Sequence, residues 1–223
     1  MINKLQEYWE ARKSFIPDIE TWKPYRGWGE GNRKHLVFLT RILDPNILDR
    51  IENLQEQLSA SDSYIRFPSD YYHITFKSWG FLSDSKGAPD DLSKGEVEDA
   101  LIKVREKLSK FERFEIELRR LNLFPTVVFI EVRDNNRYAD INREIIKIPQ
   151  IGQKWQDYPN FIPHLAIGSF RKKDRIQDFI RLLEERRELS FGKLIIDKVE
   201  FVIAHWHKTK FPKFELIKIF DLK

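Results

Sequence analysis

Two periods of apolar residues, one near two and one near 3.6, alternate along this chain and divide it into elements before any chemistry is considered. HLVFLTRI, residues 35–42, has the β-branched and aromatic content of a strand. DPNILDRIENLQEQLS then shows helical spacing, with Asp44 placed as a cap and Pro45 at the first helical position. SYIRFPSDYYHITFKSWGF reads as one or two strands interrupted at Pro68. SKGEVEDALIKVREKLSKF is a second helix, with Val97, Leu101, Val104 and Leu108 on one face. FEIELRRLNLF and TVVFIEVR form a strand pair about a Phe124-Pro125 turn, and NRYADINREIIKI is a third helix. NFIPHLAIGSF is a strand introduced by proline, and DRIQDFIRLLEERREL is a fourth helix. Two strands close the chain, KLIIDKVEFVIAHWH and KFELIKIFDL, joined by a turn containing Lys-Thr-Lys.

Strands that come as neighbouring pairs, as well as alternating with helices, point to an α+β fold over a doubly wound parallel sheet. Two units of similar plan are expected, each supplying one histidine strand. Residues 1–33 have a different texture: a short helix from Lys4 to Lys13, then a Pro-, Trp- and Gly-rich stretch. Its Trp22, Tyr25 and Trp28 are expected to pack on the main domain. The chain therefore divides into an extension, 1–33, and a single two-lobed domain, 34–223.

Composition narrows the class. With 41% hydrophobic, 33% charged and 13% aromatic residues, the 223-residue chain has ample core material and is not of the disordered kind. No apolar run approaches the roughly 18 residues of a membrane span, and the first residues lack an apolar signal core. The absence of cysteine excludes disulfides and Cys-based metal sites. A cytoplasmic monomer without membrane association is the expectation. The formal charge of +4 suits a polyanionic substrate without requiring one.

The candidate chemistry lies in the histidines. Of five, His73 and His164 occupy matched strand settings, YYHITFKSWG and FIPHLAIGSF. Side chains two apart on a strand share a face, so His73, Thr75 and Lys77 are expected to point together, as are His164, Ala166, Gly168 and Phe170. Two such strands face to face would hold a phosphate between two imidazoles, one giving a proton to the leaving oxygen and the other activating the nucleophile. Histidine's ordinary pKa of about 6.5 suits both roles, and neither needs a metal or cofactor. His35 reads as structural. His205 and His207 share one strand parity, and with Phe170 and Thr209 the first of them is a candidate for lining the cleft. Phe76 and Trp79 are read as packing residues. Arg171, Lys172 and Lys173 follow the second strand, where solvent or a phosphate would serve them equally.

These residues resemble the two-histidine (2H) phosphoesterase superfamily, in its 2′-5′ RNA ligase-like and RNA cyclic phosphodiesterase branch. HITFKSWG, residues 73–80, is similar to the branch's first motif, H-x-T-hydrophobic-K-x-x-G, and FIPHLAIGSF to its second. FEIELRRLNLFPTVVFIEV resembles the family's strand, Phe-Pro turn and strand, and VEFVIAHWHKTKFPKFELIKIFDL its closing pair. The resemblance runs from about His35 to Lys223. It implies a bilobal α+β fold with two antiparallel sheets lining a central cleft and helices outside. It also implies metal-independent hydrolysis, or reversible transfer, at 2′,3′-cyclic phosphates or 2′-5′ linkages of RNA ends or small nucleotides. Under it, His73 is the acid that protonates the 3′ leaving oxygen and His164 the base that activates water, with the two labels open to exchange; Thr75 is a phosphate contact, and Lys77 either a second one or a stem covering apolar surface.

One position departs from the pattern. The family's second motif carries Ser or Thr where this chain has Ala166, and losing one donor to a transition-state oxyanion costs on the order of 3 kcal/mol. Three readings are open: Lys77, Ser169 or Thr209 substitutes, Ser169 having the wrong parity; the enzyme is slow or prefers another phosphoester; or the site binds RNA or nucleotides without turnover. A ligase-like activity would use the same site.

Overall fold

In the computed structural model, which describes residues 2–17, 34–85, 87–207 and 210–223, the apolar periods become helices and strands with few changes of boundary. Trp22, Tyr25, Trp28 and Thr209 lie outside the described residues. The order is α1 (Ile2–Arg12), β1 (Lys34–Arg41), α2 (Pro45–Leu58), β2 (Tyr64–Arg66), a 3-10 turn (Ser69–Tyr71), β3 (His73–Leu82) and β4 (Asp91–Leu92). There follow α3 (Lys94–Leu108), β5 (Phe114–Leu123), β6 (Val127–Arg133), α4 (Arg137–Ile145), β7 (His164–Phe170), α5 (Ile176–Glu185), β8 (Ser190–Ile196), β9 (Lys198–His207) and β10 (Lys210–Asp221). Asp44 caps α2 by accepting from the Ile47 amide at 3.1 Å, with Pro45 at the first helical position. Ser93 and Glu96 form a reciprocal capping box at the start of α3. Among the described residues no helix is long and apolar enough to cross a membrane.

The strands run in the order β10-β9-β1-β3-β7-β6-β5-β8, with β2 paired to β7 and β4 to β3. The two expected sheets are thus two antiparallel halves of four strands, β10-β9-β1-β3 and β7-β6-β5-β8. They join where β3 and β7 share the registered pair Ile74 and Leu165. The expected long closing strand is instead two. Asp197 separates β8, which pairs with β5, from β9, which pairs with β1 and β10. A single residue between strands of opposite halves requires those halves to converge at that end, which curls the sheet. The main core lies on the helix-covered face, where Leu36, Phe38, Ile74, Phe76, Ile130 and Leu165 are buried. A smaller cluster on the other face comprises Val37, Leu39, Val202 and Ala204, with Phe214 against it.

Each histidine strand carries an extra residue a short way beyond its histidine, and β3 has a second shift further on, between the partners of His35 and Val37. Across β1, Leu39 faces Thr75 while its neighbour Phe38 faces Lys77, so Phe76 is the insertion in β3. Across β6, Phe129 faces Ala166 while Val128 faces Gly168, so Ile167 is the insertion in β7. A bulge takes a carbonyl out of the ladder, and a buried carbonyl needs another donor. Asn142 Nδ2 from α4 donates to Phe76 O at 2.8 Å. Gln55 Nε2 from α2 donates to Ile167 O at 2.6 Å, and Tyr64 Oη does so at 2.9 Å. The Tyr64 ring lies so close over Gly168 that a Cβ there would sit 2.1 Å from a ring carbon, so only glycine fits.

Asn142→Leu leaves Phe76 O without its donor and also removes bonds to Asp157 and the Tyr158 amide. Urea denaturation should show a loss of about 3 kcal/mol, against less than about 0.5 kcal/mol for an exposed control such as Glu98→Gln.

Candidate active site

His73 and His164 are the first residues of β3 and β7, at the place where the halves join. Before His73 the chain makes a 3-10 turn behind Pro68. Before His164, Pro163 restricts Ile162 to an extended conformation. Both approaches place the carbonyl two residues earlier under the ring: His73 Nδ1 donates to Tyr71 O at 2.6 Å and His164 Nδ1 to Ile162 O at 2.9 Å. Because a carbonyl only accepts, Nδ1 carries the proton in both neutral rings and Nε2 is left as the working nitrogen.

Register fixes the faces. Ile74 and Leu165 point into the core; extending the antiparallel register by one residue each way sets His73 opposite Ala166 and Thr75 opposite His164 on the other face. The imidazoles are then diagonal neighbours, about 7–8 Å apart at their backbones. Thr75 is half-buried on this face, and no group among the described residues takes its hydroxyl. Each imidazole is held edge-on by two aromatic rings. Tyr71 and Phe214 stand 4.9 Å from the His73 ring; Phe124 and Phe129 stand 4.9 and 5.6 Å from that of His164.

This surrounding disfavours charge. Burial pushes His73 down to about 4, against the opposing pull of the Tyr71 carbonyl, and the nearby His164 lowers it further. Burial also lowers His164, opposed by the Ile162 carbonyl. Both rings are therefore neutral at pH 7.

The bulges relocate two of the residues assigned by parity. Beyond Phe76, Lys77 turns with Phe38 into the helix-covered face, where it is 1% exposed and ion-paired with Asp157. Its stem and charge are occupied there, so it does not stand with His73 and Thr75. Phe170, beyond Ile167, is also on the core face, packed edge-on against Phe179 of α5 and Phe15. It does not line the cleft. The same insertion brings Ser169 onto the face of Ala166, contrary to simple parity, since its partner Val127 shares a face with Phe129. Its hydroxyl is buried without a partner among the described residues, and it lies two ladder positions, about 7 Å, beyond Ala166. His205 follows Ile203 on the face opposite Ala204, against Glu215, and so points away from the cleft. His35 bonds Ser78 Oγ at 3.0 Å.

Two residues that no motif indicated flank the pair. Arg41 is the cross-strand partner of His73, with its Nε on Glu200 at 2.6 Å toward the far strand. Glu131 is the partner of His164, 2% exposed and bonded by Asn122. Cross-strand partners carry no signal in a single sequence. The aromatic residues beside the histidines do: Tyr71 in YYH and Phe124 in the Phe-Pro turn.

A neutral buried histidine leaves its mark on stability. The unfolded chain protonates His73 near pH 6.5, whereas the native chain resists until about pH 4. The contribution is present above pH 6.5 and is lost as pH falls through that window. His73→Gln should therefore flatten the decline in unfolding free energy between pH 6.5 and 4, as measured by urea titration at several pH values. An unchanged slope would show that the ring is not held neutral.

Comparison with known proteins agrees with this arrangement. Residues 32–206 match the 2′-5′ RNA ligase superfamily. An RNA 2′,3′-cyclic phosphodiesterase of Methanothermobacter thermautotrophicus is 23% identical over 170 residues, covering 73% of this chain and 86% of that protein. The fold is similar to that of E. coli LigT complexed with 3′-AMP, with a TM-score of 0.61 at 11% identity over 86% of this chain and 99% of that one. TT0787 of Thermus thermophilus gives 0.60 at 15% identity over 84% and 97%. With its paired histidine strands, its curled antiparallel sheet and this match, the chain belongs to the 2′-5′ RNA ligase superfamily of two-histidine phosphoesterases.

Proposed function

We propose that this protein is a phosphodiesterase that opens 2′,3′-cyclic phosphates on RNA ends or nucleotides, with His73 and His164 as its acid and base. The observation that carries the reading is the matched setting of the two rings. Each has Nδ1 tied to the carbonyl two residues back, so each presents Nε2 over the same face beside Thr75. A phosphate above the Thr75 hydroxyl would lie between the two nitrogens. His164 Nε2 takes a proton from water as the water oxygen bonds to phosphorus; the bond to one ribose oxygen breaks, and protonated His73 supplies that oxygen's proton. Every proton has a carrier, so the scheme needs no metal. The relative named as an RNA 2′,3′-cyclic phosphodiesterase supports the choice of substrate.

The low pKa values have a kinetic consequence. The scheme needs one imidazolium, yet both rings of the free protein are neutral at pH 7. An anionic phosphodiester raises both pKa values, so substrate binding supplies the missing proton affinity. Hence kcat/KM, which reports the free enzyme, should rise as pH falls from 8 toward 5, while kcat peaks at a higher pH. Hydrolysis of cyclic nucleotides and cyclic-phosphate-ended oligonucleotides, assayed in EDTA, measures both profiles. His73→Ala and His164→Ala should each lower kcat at least 100-fold. Variants as active as wild type would remove the assignment.

A second reading, an RNA- or nucleotide-binding module with weak turnover, is favoured by one specific observation. No hydroxyl stands at Ala166, Lys77 is committed to Asp157, and Ser169 is too distant and buried to substitute. Ala166→Thr, which restores a donor facing the phosphate, should raise kcat about tenfold or more. No acceleration would mean that another donor already serves.

A further inference from the structure

Helix α1 precedes the region that matches the family, yet it is built into the wall of the cleft. Asn122 lies on the His164 side of the sheet, in register with Phe129, and its Nδ2 donates to Leu5 O at 2.8 Å. Trp9 is 1% exposed beneath the Arg187 guanidinium. With Leu5 and Trp9 anchoring the helix, Lys4, Tyr8 and Arg12, four residues apart, form a row along its flank. Two contacts relate that row to His164. Lys4 lines a cavity of about 320 Å³ together with Phe161 and Ile162, whose carbonyl fixes the His164 ring. The Tyr8 ring meets Phe124 edge-on at 6.5 Å, and Phe124 packs on His164.

Arg12 completes the row. Its guanidinium lies 3.9 Å over the Tyr8 ring and, among the described residues, donates once, to Tyr8 O. Among the described residues no carboxylate pairs with it, while Glu10 on the same helix is taken by Lys13. A half-buried guanidinium of fixed orientation, most of whose donors meet no described residue, is suited to a phosphate oxygen.

Building on the proposed activity at RNA ends, we propose that this flank of α1 is a binding track for the single-stranded RNA leading to the terminal cyclic phosphate. Arg12 takes a backbone phosphate, Tyr8 holds the guanidinium in place, and Lys4, about 12 Å further along the helix, takes a second phosphate. The track would make the protein prefer oligonucleotides to mononucleotides.

The test compares a trinucleotide ending in a 2′,3′-cyclic phosphate with the corresponding cyclic mononucleotide, for wild type, Arg12→Gln and Arg12→Lys. The ratio of kcat/KM for trinucleotide to mononucleotide should fall about tenfold in Arg12→Gln and recover in part in Arg12→Lys. Equilibrium binding of the 3′-phosphorylated trinucleotide should weaken by a similar factor. Its dependence on log salt should become shallower by about 0.7, because one phosphate is no longer neutralised. An unchanged ratio, with unchanged affinity and salt slope, would overturn the track. If wild type hydrolyses neither substrate but Arg12→Gln still loses affinity and salt slope, the track stands and the hydrolytic reading fails.

Discussion

A bulge in a buried strand is tolerable only if the carbonyl that leaves the ladder finds another donor, and both histidine strands meet that condition in the same way. Asn142 reaches from α4 to Phe76 O, and Gln55 from α2 to Ile167 O. Loss of the donor to Phe76 O would cost about 1–3 kcal/mol, whereas Ile167 O also accepts from the Phe67 amide at 3.0 Å and the Tyr64 hydroxyl at 2.9 Å. Asn142 at one bulge, and Gln55 with Tyr64 and the Phe67 amide at the other, therefore help hold the geometry that separates the histidine face of each strand, His73 with Thr75 and His164 with Ala166, from the core-facing residues beyond it. Helices placed behind the sheet thus decide what the front of the sheet presents.

The network around Asn142 also ties the two halves together. Asp157, on the segment leading to His164, accepts from Asn142 and pairs with Lys77 of the His73 strand. Burial pulls the Lys77 pKa down and the carboxylate of Asp157 holds it up. Breaking such a pair on one side leaves an uncompensated buried charge, at a cost of about 3–5 kcal/mol. The lysine of the first motif acts on the site from behind, by fastening the approach to the second histidine to the strand of the first.

The two imidazoles are near equivalents, each with a carbonyl under Nδ1 and two aromatic rings against its faces or edges. That equivalence suits chemistry in which acid and base exchange roles between forward and reverse directions. It is broken at three places: the hydroxyl of Thr75 against the methyl of Ala166, Arg41 beside His73 against Glu131 beside His164, and α1, which borders the second half. These are the places where the two halves present different chemistry, since the rest of the surroundings is matched.

The sequence by itself determined the elements, the caps at Asp44 and Ser93, the α+β class, and the two histidines with Thr75, because these follow from local periodicity and from motifs read within one strand. It also showed that Ala166, unlike Thr75, carries no hydroxyl. What only the tertiary structure decided was which residues share a face with them. Parity counting put Lys77 and Phe170 in the cleft and Ser169 out of it. The insertions at Phe76 and Ile167 turned the first two into the core and brought Ser169 onto the face of Ala166, where it is buried. The division of the closing strand at Asp197 was hidden for a similar reason, because each side of it is equally strand-like and only its partners differ. A bulge or a strand boundary of this kind is set by groups up to 112 residues away in the chain, as Gln55 is from Ile167. No local pattern records that distance, and so the sequence located the paired histidines while packing chose what surrounds them.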